Sequence, residues 1–262
     1  MNNQERFYND IYTHKVYHDL DLPDFKITKG KSIVGKKILI FGIGTARDVK
    51  FLLGNNEVWG TDYSKESINV CKKLGIKIIK QDLNKPFKLK EKYFDIIVAK
   101  DILEHLYEPK ILMNHIKLSL KRTGYAVINV PNHFYLPMRI RILLGKGIVW
   151  KTTLHDHTKV FNDWDYMHKI FFTWAGFQKF VETSGFKIEK KYFDFGTLNH
   201  YSQPELAIEY LEQTGENKTK LTILKTLWQT INFLIPKKLR ENMVSLSPGL
   251  FCASFYVWLK KV

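Results

Sequence analysis

The chain has 262 residues, 45% hydrophobic and 14% aromatic, enough apolar content to bury one substantial core. Its formal net charge of +15 favours an acidic partner, such as nucleic acid, anionic lipid or a phosphorylated substrate, without choosing among them. Cys71 and Cys252 lie far apart and outside any CxxC pair, which argues against a disulfide framework and a thiolate zinc site. The first ten residues are polar and no run of about 18 apolar residues occurs, so a cytoplasmic protein without a spanning helix is expected.

A single domain over 1–262 is expected, with residues 1–30 as an N-terminal helical cover. From residue 37 to 130, short apolar runs alternate with longer helical patterns, the signature of βα units on a parallel sheet. KILIF at 37–41 reads as a buried strand, closed by a glycine turn and followed by a helix over 45–53. EVWGT at 57–61 is the second strand, and Ser64 is the N-cap of a helix running to Leu74. IKIIK at 76–80 and FDIIVA at 94–99 are strands three and four. A helix over 109–120 follows, and after Gly124 the fifth strand is YAVINV at 125–130. Residues 133–172 are expected to cap the acceptor side, with a helix over 136–150. A helix over 174–184 delivers a sixth strand at 186–193. A helical insert at 196–249 then precedes a last strand at 251–259.

ILIFGIGTARDVKFLL sets Gly42 and Gly44 between a strand and a helix. Gly42 permits the tight turn, Gly44 lets a ligand approach the backbone, and the helix start would offer free N–H groups. Asp62 lies about 20 residues beyond Gly42, where a carboxylate can accept hydrogen bonds from both ribose hydroxyls. Together they mark an adenosine-containing cofactor. A dinucleotide fingerprint would place glycine at position 47, but Arg47 stands there, and the spacing is Gly42-x-Gly44-x-Ala46. An ordinary βα turn is the rival reading of the glycines.

ILIFGIGTA, GTDYS, KQDLNKPF, FDIIVAKDILEHLYEP, RTGYAVINVPN and HKIFFTWAGFQKFVETSGF, in that order, resemble the motifs of the class I S-adenosylmethionine (SAM) dependent methyltransferases. The resemblance is strongest to small-molecule O-methyltransferases of the quinone-biosynthesis and surface-polysaccharide types. It implies an α/β, Rossmann-like, seven-stranded, mostly parallel sheet with helices on both faces and a helical insert before the last strand. It further implies that Gly42 and Gly44 line the methionine part of SAM and that Asp62 binds the ribose. Tyr63 would pack on the adenine, Asp82 would accept from the adenine amino group, and Leu83 would offer its backbone there. Lys100 and Asp101 would face the methyl end. One departure stands out: the family's acidic residue before the first glycine is Phe41 here, which removes the usual water-linked contact to the SAM amino group. Tyr63 as a surface aromatic and Asp82 as a turn former are the competing readings of those two residues.

Methyl transfer from a sulfonium leaves a neutral thioether, so alignment is the main demand, and a hydroxyl acceptor also needs a base. His105, His133 and His168 are the catalytic candidates, each placed by the pattern above the carboxyl ends of the strands. His105 also reads as a packing histidine. His155, Asp156 and His157 invite a metal, but adjacent side chains diverge in an extended loop and no metal is expected. The segment at 99–102 lacks the Asn/Asp-Pro-Pro-aromatic motif of amino-directed nucleic-acid methylation, so nucleic acid is the less favoured partner.

Within the insert, Leu221, Leu224, Leu227, Trp228, Ile231, Leu234 and Ile235 repeat at helical spacing, flanked by Lys218, Lys220, Lys225, Lys237, Lys238 and Arg240. One reading buries this stripe against the domain or a homodimer partner. The other makes it an interfacial helix at an anionic membrane. The expected activity is methyl transfer to a small-molecule or glycan hydroxyl. Its alternatives are a quinone or lipid methyltransferase at the inner membrane surface and an inactive SAM-binding partner or nucleic-acid module.

Overall fold

The computed structural model describes residues 24–28, 31–147, 168–193 and 218–262. The expected cover at 1–30 except residues 24–28, the His155–His157 cluster, half of the acceptor-side cap at 133–172 and the first part of the insert lie outside the described residues.

Seven strands form one sheet: β1 (Lys37–Phe41), β2 (Glu57–Asp62), β3 (Lys77–Lys80), β4 (Phe94–Lys100), β5 (Leu120–Pro131), β6 (Phe186–Tyr192) and β7 (Ser254–Lys261). Their order is β3-β2-β1-β4-β5-β7-β6. The pairs from β3 through β5 are parallel, whereas β7 runs antiparallel to both β5 and β6. This is the Rossmann-like, mostly parallel sheet foreseen in the sequence. Its central strands bury side chains on both faces, which explains why β1 and β4 read as continuous apolar runs rather than alternating ones.

Among the described residues the helices are α1 (Lys65–Lys73), α2 (Pro109–Ser119), α3 (Leu136–Leu143), α4 (Trp174–Thr183), α5 (Lys218–Leu234), α6 (Lys237–Leu246) and the short α7 (Pro248–Phe251). Ser64 caps α1 as anticipated, its hydroxyl accepting the Ser67 N–H. Leu39, Phe41, Ile97 and Ile128 share one sheet face with Leu112 and Ile116 of α2 and Phe177 and Val181 of α4. Ile38, Ile40, Ile96 and Val98 face Cys71 of α1, so helices cover both faces.

Three expectations need correction. The helix expected over 136–150 ends at Leu143, and residues 144–147 are not helical. The helix over 45–53 is absent: that segment holds irregular turns and a 3-10 turn at Lys50–Leu52. Gly42, Gly44 and Ala46 all adopt positive φ, at 62°, 56° and 60°, and alternating left-handed residues prevent helical propagation. Strand β5 also begins before Gly124, at Leu120, and shifts register against β4 between Phe94 and Ile96. The bulge lets the extra residues join the strand without displacing its buried half.

Candidate active site

The glycine turn, the ends of β2 and β4, and the residues after β5 all lie at the carboxyl edge of the parallel strands, the ligand edge of open α/β sheets. Gly42 sits beneath Ile102. A methyl group added at Gly42 would overlap Ile102 Cδ1, so that side chain would have to shift, and the positive φ of Gly42 favours glycine.

Asp62 braces this turn. Its Oδ2 accepts the Gly44 N–H at 2.9 Å and its Oδ1 accepts the Ser64 N–H at 2.9 Å, and the residue is 8% exposed. Burial raises the Asp62 carboxyl above the usual aspartate range, against the Ser64 and Gly44 donors that pull it down. The free N–H groups anticipated from a helix start are therefore replaced by a turn whose Gly44 donor is already committed to Asp62. Cys71 donates to the Gly44 carbonyl at 3.4 Å; burial, with the Asp62 charge, pushes its thiol up to about 12, leaving no thiolate near neutral pH.

Tyr63 is half-buried at the end of β2, with Lys80 Nζ 5.3 Å from its ring centroid. Asp82 forms a turn, its Oδ1 accepting the Asn84 N–H at 3.0 Å and its carbonyl accepting the Lys85 N–H. The turn-forming role weighed in the sequence is thus present, and Oδ2 lies 3.8 Å from Lys85 Nζ. Leu83 packs its half-buried side chain against the core around Phe41.

Lys100 and Asp101 do different work. Lys100 Nζ lies 2.7 Å from Asp24 Oδ2 and 2.6 Å from Asp48 Oδ2, so its ammonium is held in an ion triad. Burial alone would lower Lys100, but Asp48 and Asp24 hold it well above the ordinary lysine range. Burial likewise works against the Asp48 carboxylate, and the Lys100 ammonium brings it below its ordinary value. Asp101, with φ of 51°, receives the Asn129 Nδ2 donor at 2.8 Å and donates its own N–H to the Asn129 carbonyl at 3.0 Å. Phe41 is 1% exposed and packs edge-on to Phe87, so the position usually acidic belongs to the core.

The three candidate histidines come together. His133 Nε2 and His168 Nδ1 are 2.7 Å apart, and the His168 ring centroid lies 4.6 Å from that of His105 and 4.7 Å from that of His133. Glu104, fully buried, joins them: one ligand atom each of Glu104, His105 and His168 lie within 4.8 Å of one another. The segment carrying His168 is fastened by its backbone, since Lys169 and Ile170 both donate N–H to the Glu104 carbonyl, at 2.6 and 3.2 Å.

Sequence reasoning missed Glu104, Asp48 and Asn129 as parts of this edge. Asn129 had a signal, a polar side chain inside the apolar run YAVINV, and it is 2% exposed. Glu104 stood in the LEH triplet but is distinguished only by its burial, which a linear pattern does not carry.

Residues 39–128 match the family model described as "Methyltransferase domain". Over this stretch the chain is similar to methyltransferase domains. Over 95 residues the chain is 37% identical to an uncharacterised protein of Methanocaldococcus jannaschii, spanning 35% of this chain and 43% of that relative. The fold recurs in solved structures. A SAM-dependent methyltransferase of Thermotoga maritima, described as a possible histamine N-methyltransferase, is 16% identical, with TM-score 0.54 and 98% of each chain covered. A SAM-dependent methyltransferase of Archaeoglobus fulgidus is 17% identical, with TM-score 0.52, over 98% of this chain and 97% of that one. Phosphoethanolamine N-methyltransferase 2 of Haemonchus contortus gives TM-score 0.58 at 14% identity, over 97% of this chain and 57% of that one.

Proposed function

We propose that the chain is a SAM-dependent methyltransferase whose acceptor is the hydroxyl of a small molecule or glycan. The observation that carries the hydroxyl reading is the convergence of His105, His133 and His168 beside the end of β4. SAM supplies an electrophilic methyl on a sulfonium. The acceptor oxygen forms a bond to that carbon while the sulfur–methyl bond breaks and sulfur keeps the electron pair. The hydroxyl proton must leave, and an imidazole is suited to receive it.

In this reading Asp62 holds the glycine turn in shape and presents its remaining lone pairs to the ribose. Tyr63 and Leu83 flank the adenine, with Asp82 toward its amino group, and Gly42 and Gly44 keep the methionine side of the pocket open. Lys100 supports the turn through Asp48 rather than touching the methyl group. Asp101 takes the place of the acid that Phe41 lacks: Asn129 orients its Oδ1 and leaves Oδ2 for the SAM ammonium. Calorimetry with SAM tests this arrangement. Asp101→Ala is expected to weaken SAM about tenfold or more, the worth of a charge-assisted hydrogen bond; unchanged affinity would remove Asp101 from the cofactor site. Mass spectrometry of small molecules retained on the purified protein, with S-adenosylhomocysteine expected among them, addresses the acceptor.

A lipid or quinone acceptor is the second reading, favoured by α5. Leu221 is buried, but Ile223, Leu227, Phe233 and Leu234 are 54–86% exposed, on a helix flanked by lysines. Sedimentation with anionic vesicles at moderate salt tests it, and failure to bind would leave the soluble-acceptor reading alone.

A further inference from the structure

The Glu104, His105, His168 set is a candidate for more than proton transfer. A fully buried carboxylate is costly unless positive charge lies beside it, which either a protonated imidazole or a cation supplies. Three features favour a cation. The set comprises one carboxylate and two imidazoles, the His₂Glu donor combination of open catalytic zinc sites. Its atoms lie within 4.8 Å of one another, and bonds of about 2.1 Å to a tetrahedral ion would bring them to roughly 3.4 Å, a small closure. His133 contacts the Nδ1 of His168 at 2.7 Å; with His168 donating, Nε2 keeps its lone pair, the arrangement by which an outer partner fixes a metal-binding histidine. The two N–H bonds to the Glu104 carbonyl hold the His168 segment against the end of β4 before any ion arrives.

We propose that Glu104, His105 and His168 form a binding site for a divalent transition-metal ion of the zinc type, with His133 as its orienting partner. Imidazole donors disfavour magnesium and calcium. Three protein ligands leave a coordination position for the acceptor hydroxyl. There the ion lowers the hydroxyl's pKa so that its proton passes to solvent water before the oxygen attacks the SAM methyl, and His105 and His168 serve as ligands in place of the proton acceptor invoked above. The site thus deepens the hydroxyl methyltransferase reading and rests on it for its chemical role, though not for the binding itself.

The test is binding of Zn2+ by calorimetry, and of Co2+ by its visible absorption, to the full chain after dialysis against a chelator. One equivalent is expected, with Co2+ bands of a four- or five-coordinate site. His168→Ala and Glu104→Gln are each expected to weaken binding at least tenfold, and His133→Ala about tenfold, as for loss of an outer-shell partner. If Glu104→Gln does not fold, His168→Ala, outside the sheet, decides. Absence of stoichiometric binding, or binding that survives His168→Ala and disappears in a His155→Ala/His157→Ala variant, would overturn the proposal. SAM calorimetry on the same chelated protein separates the two readings. SAM binding without metal binding sinks the ion site and leaves the methyltransferase standing, whereas metal binding without SAM binding does the reverse.

Discussion

Single atoms decide most of what the cofactor edge can tolerate. Gly42→Ala forces an L-residue to a φ of 62°, at about 1–2 kcal/mol, and drives its Cβ into Ile102. Loss of measurable SAM binding is expected by calorimetry. Adding Ile102→Ala should recover part of the thermal stability, because it removes the overlap but not the backbone strain. Gly35, also at positive φ, has open space around the corresponding position, so Gly35→Ala should cost stability without touching SAM affinity. Asp62→Asn is a sharper probe than Asp62→Ala. The amide must point its NH₂ at one of two backbone N–H donors, so the isosteric change is expected to lower SAM affinity by about 10- to 100-fold, the worth of one charged hydrogen bond. Affinity equal to wild type in Asp62→Asn would show that the brace does not shape the pocket.

Between β1 and β2, an ion triad does what a helix was expected to do. Lys100 joins Asp48 of the turn to Asp24 of the first described segment, and the Tyr256 hydroxyl donates to the same Asp24 carboxylate. With side chains 12–30% exposed, removing the cation should cost less than the full penalty for a buried pair, about 1–3 kcal/mol, seen as a lower Tm for Lys100→Met. The pH dependence follows from the directions of the shifts. The Asp48 carboxyl is lowered, so its stabilisation is complete above about pH 4 and fades as pH falls through the depressed folded value. The Lys100 ammonium is raised, so its share is complete below about pH 10 and fades only in strong alkali. The Tm gap between wild type and Lys100→Met should therefore stay level from pH 5 to 9 and narrow in acid; a gap that widens in acid would contradict the triad. The strands were legible because buried parallel strands are written as local apolar runs, and α1 because Ser64 caps it. The missing helix was not, because the left-handed run through Ala46 and the tether from Lys100 depend on residues distant in the chain. The histidine cluster was half legible: the edge on which each residue falls follows from strand order, but their mutual contact depends on the loop that returns to Glu104.

At the scale of the molecule, +15 of charge and an exposed apolar face on α5 coexist with the absence, among the described residues, of any helix long and apolar enough to cross a membrane. Phe233→Asp is expected to weaken sedimentation with anionic vesicles while leaving SAM affinity unchanged, since the Phe233 side chain is 86% exposed. The sheet order carries a different consequence. Among the described residues β6 pairs with the sheet through β7 alone, and β7 is inserted between β5 and β6 in the opposite direction. β6 therefore has no template until β7, far later in the chain, has already zipped onto β5. Assembly of this flank is sequential and its opening is shared: amide hydrogens of β6 should exchange with the same or lower protection as those of β7, and never higher. Half of the flank cannot outlive the strand that joins it to the rest.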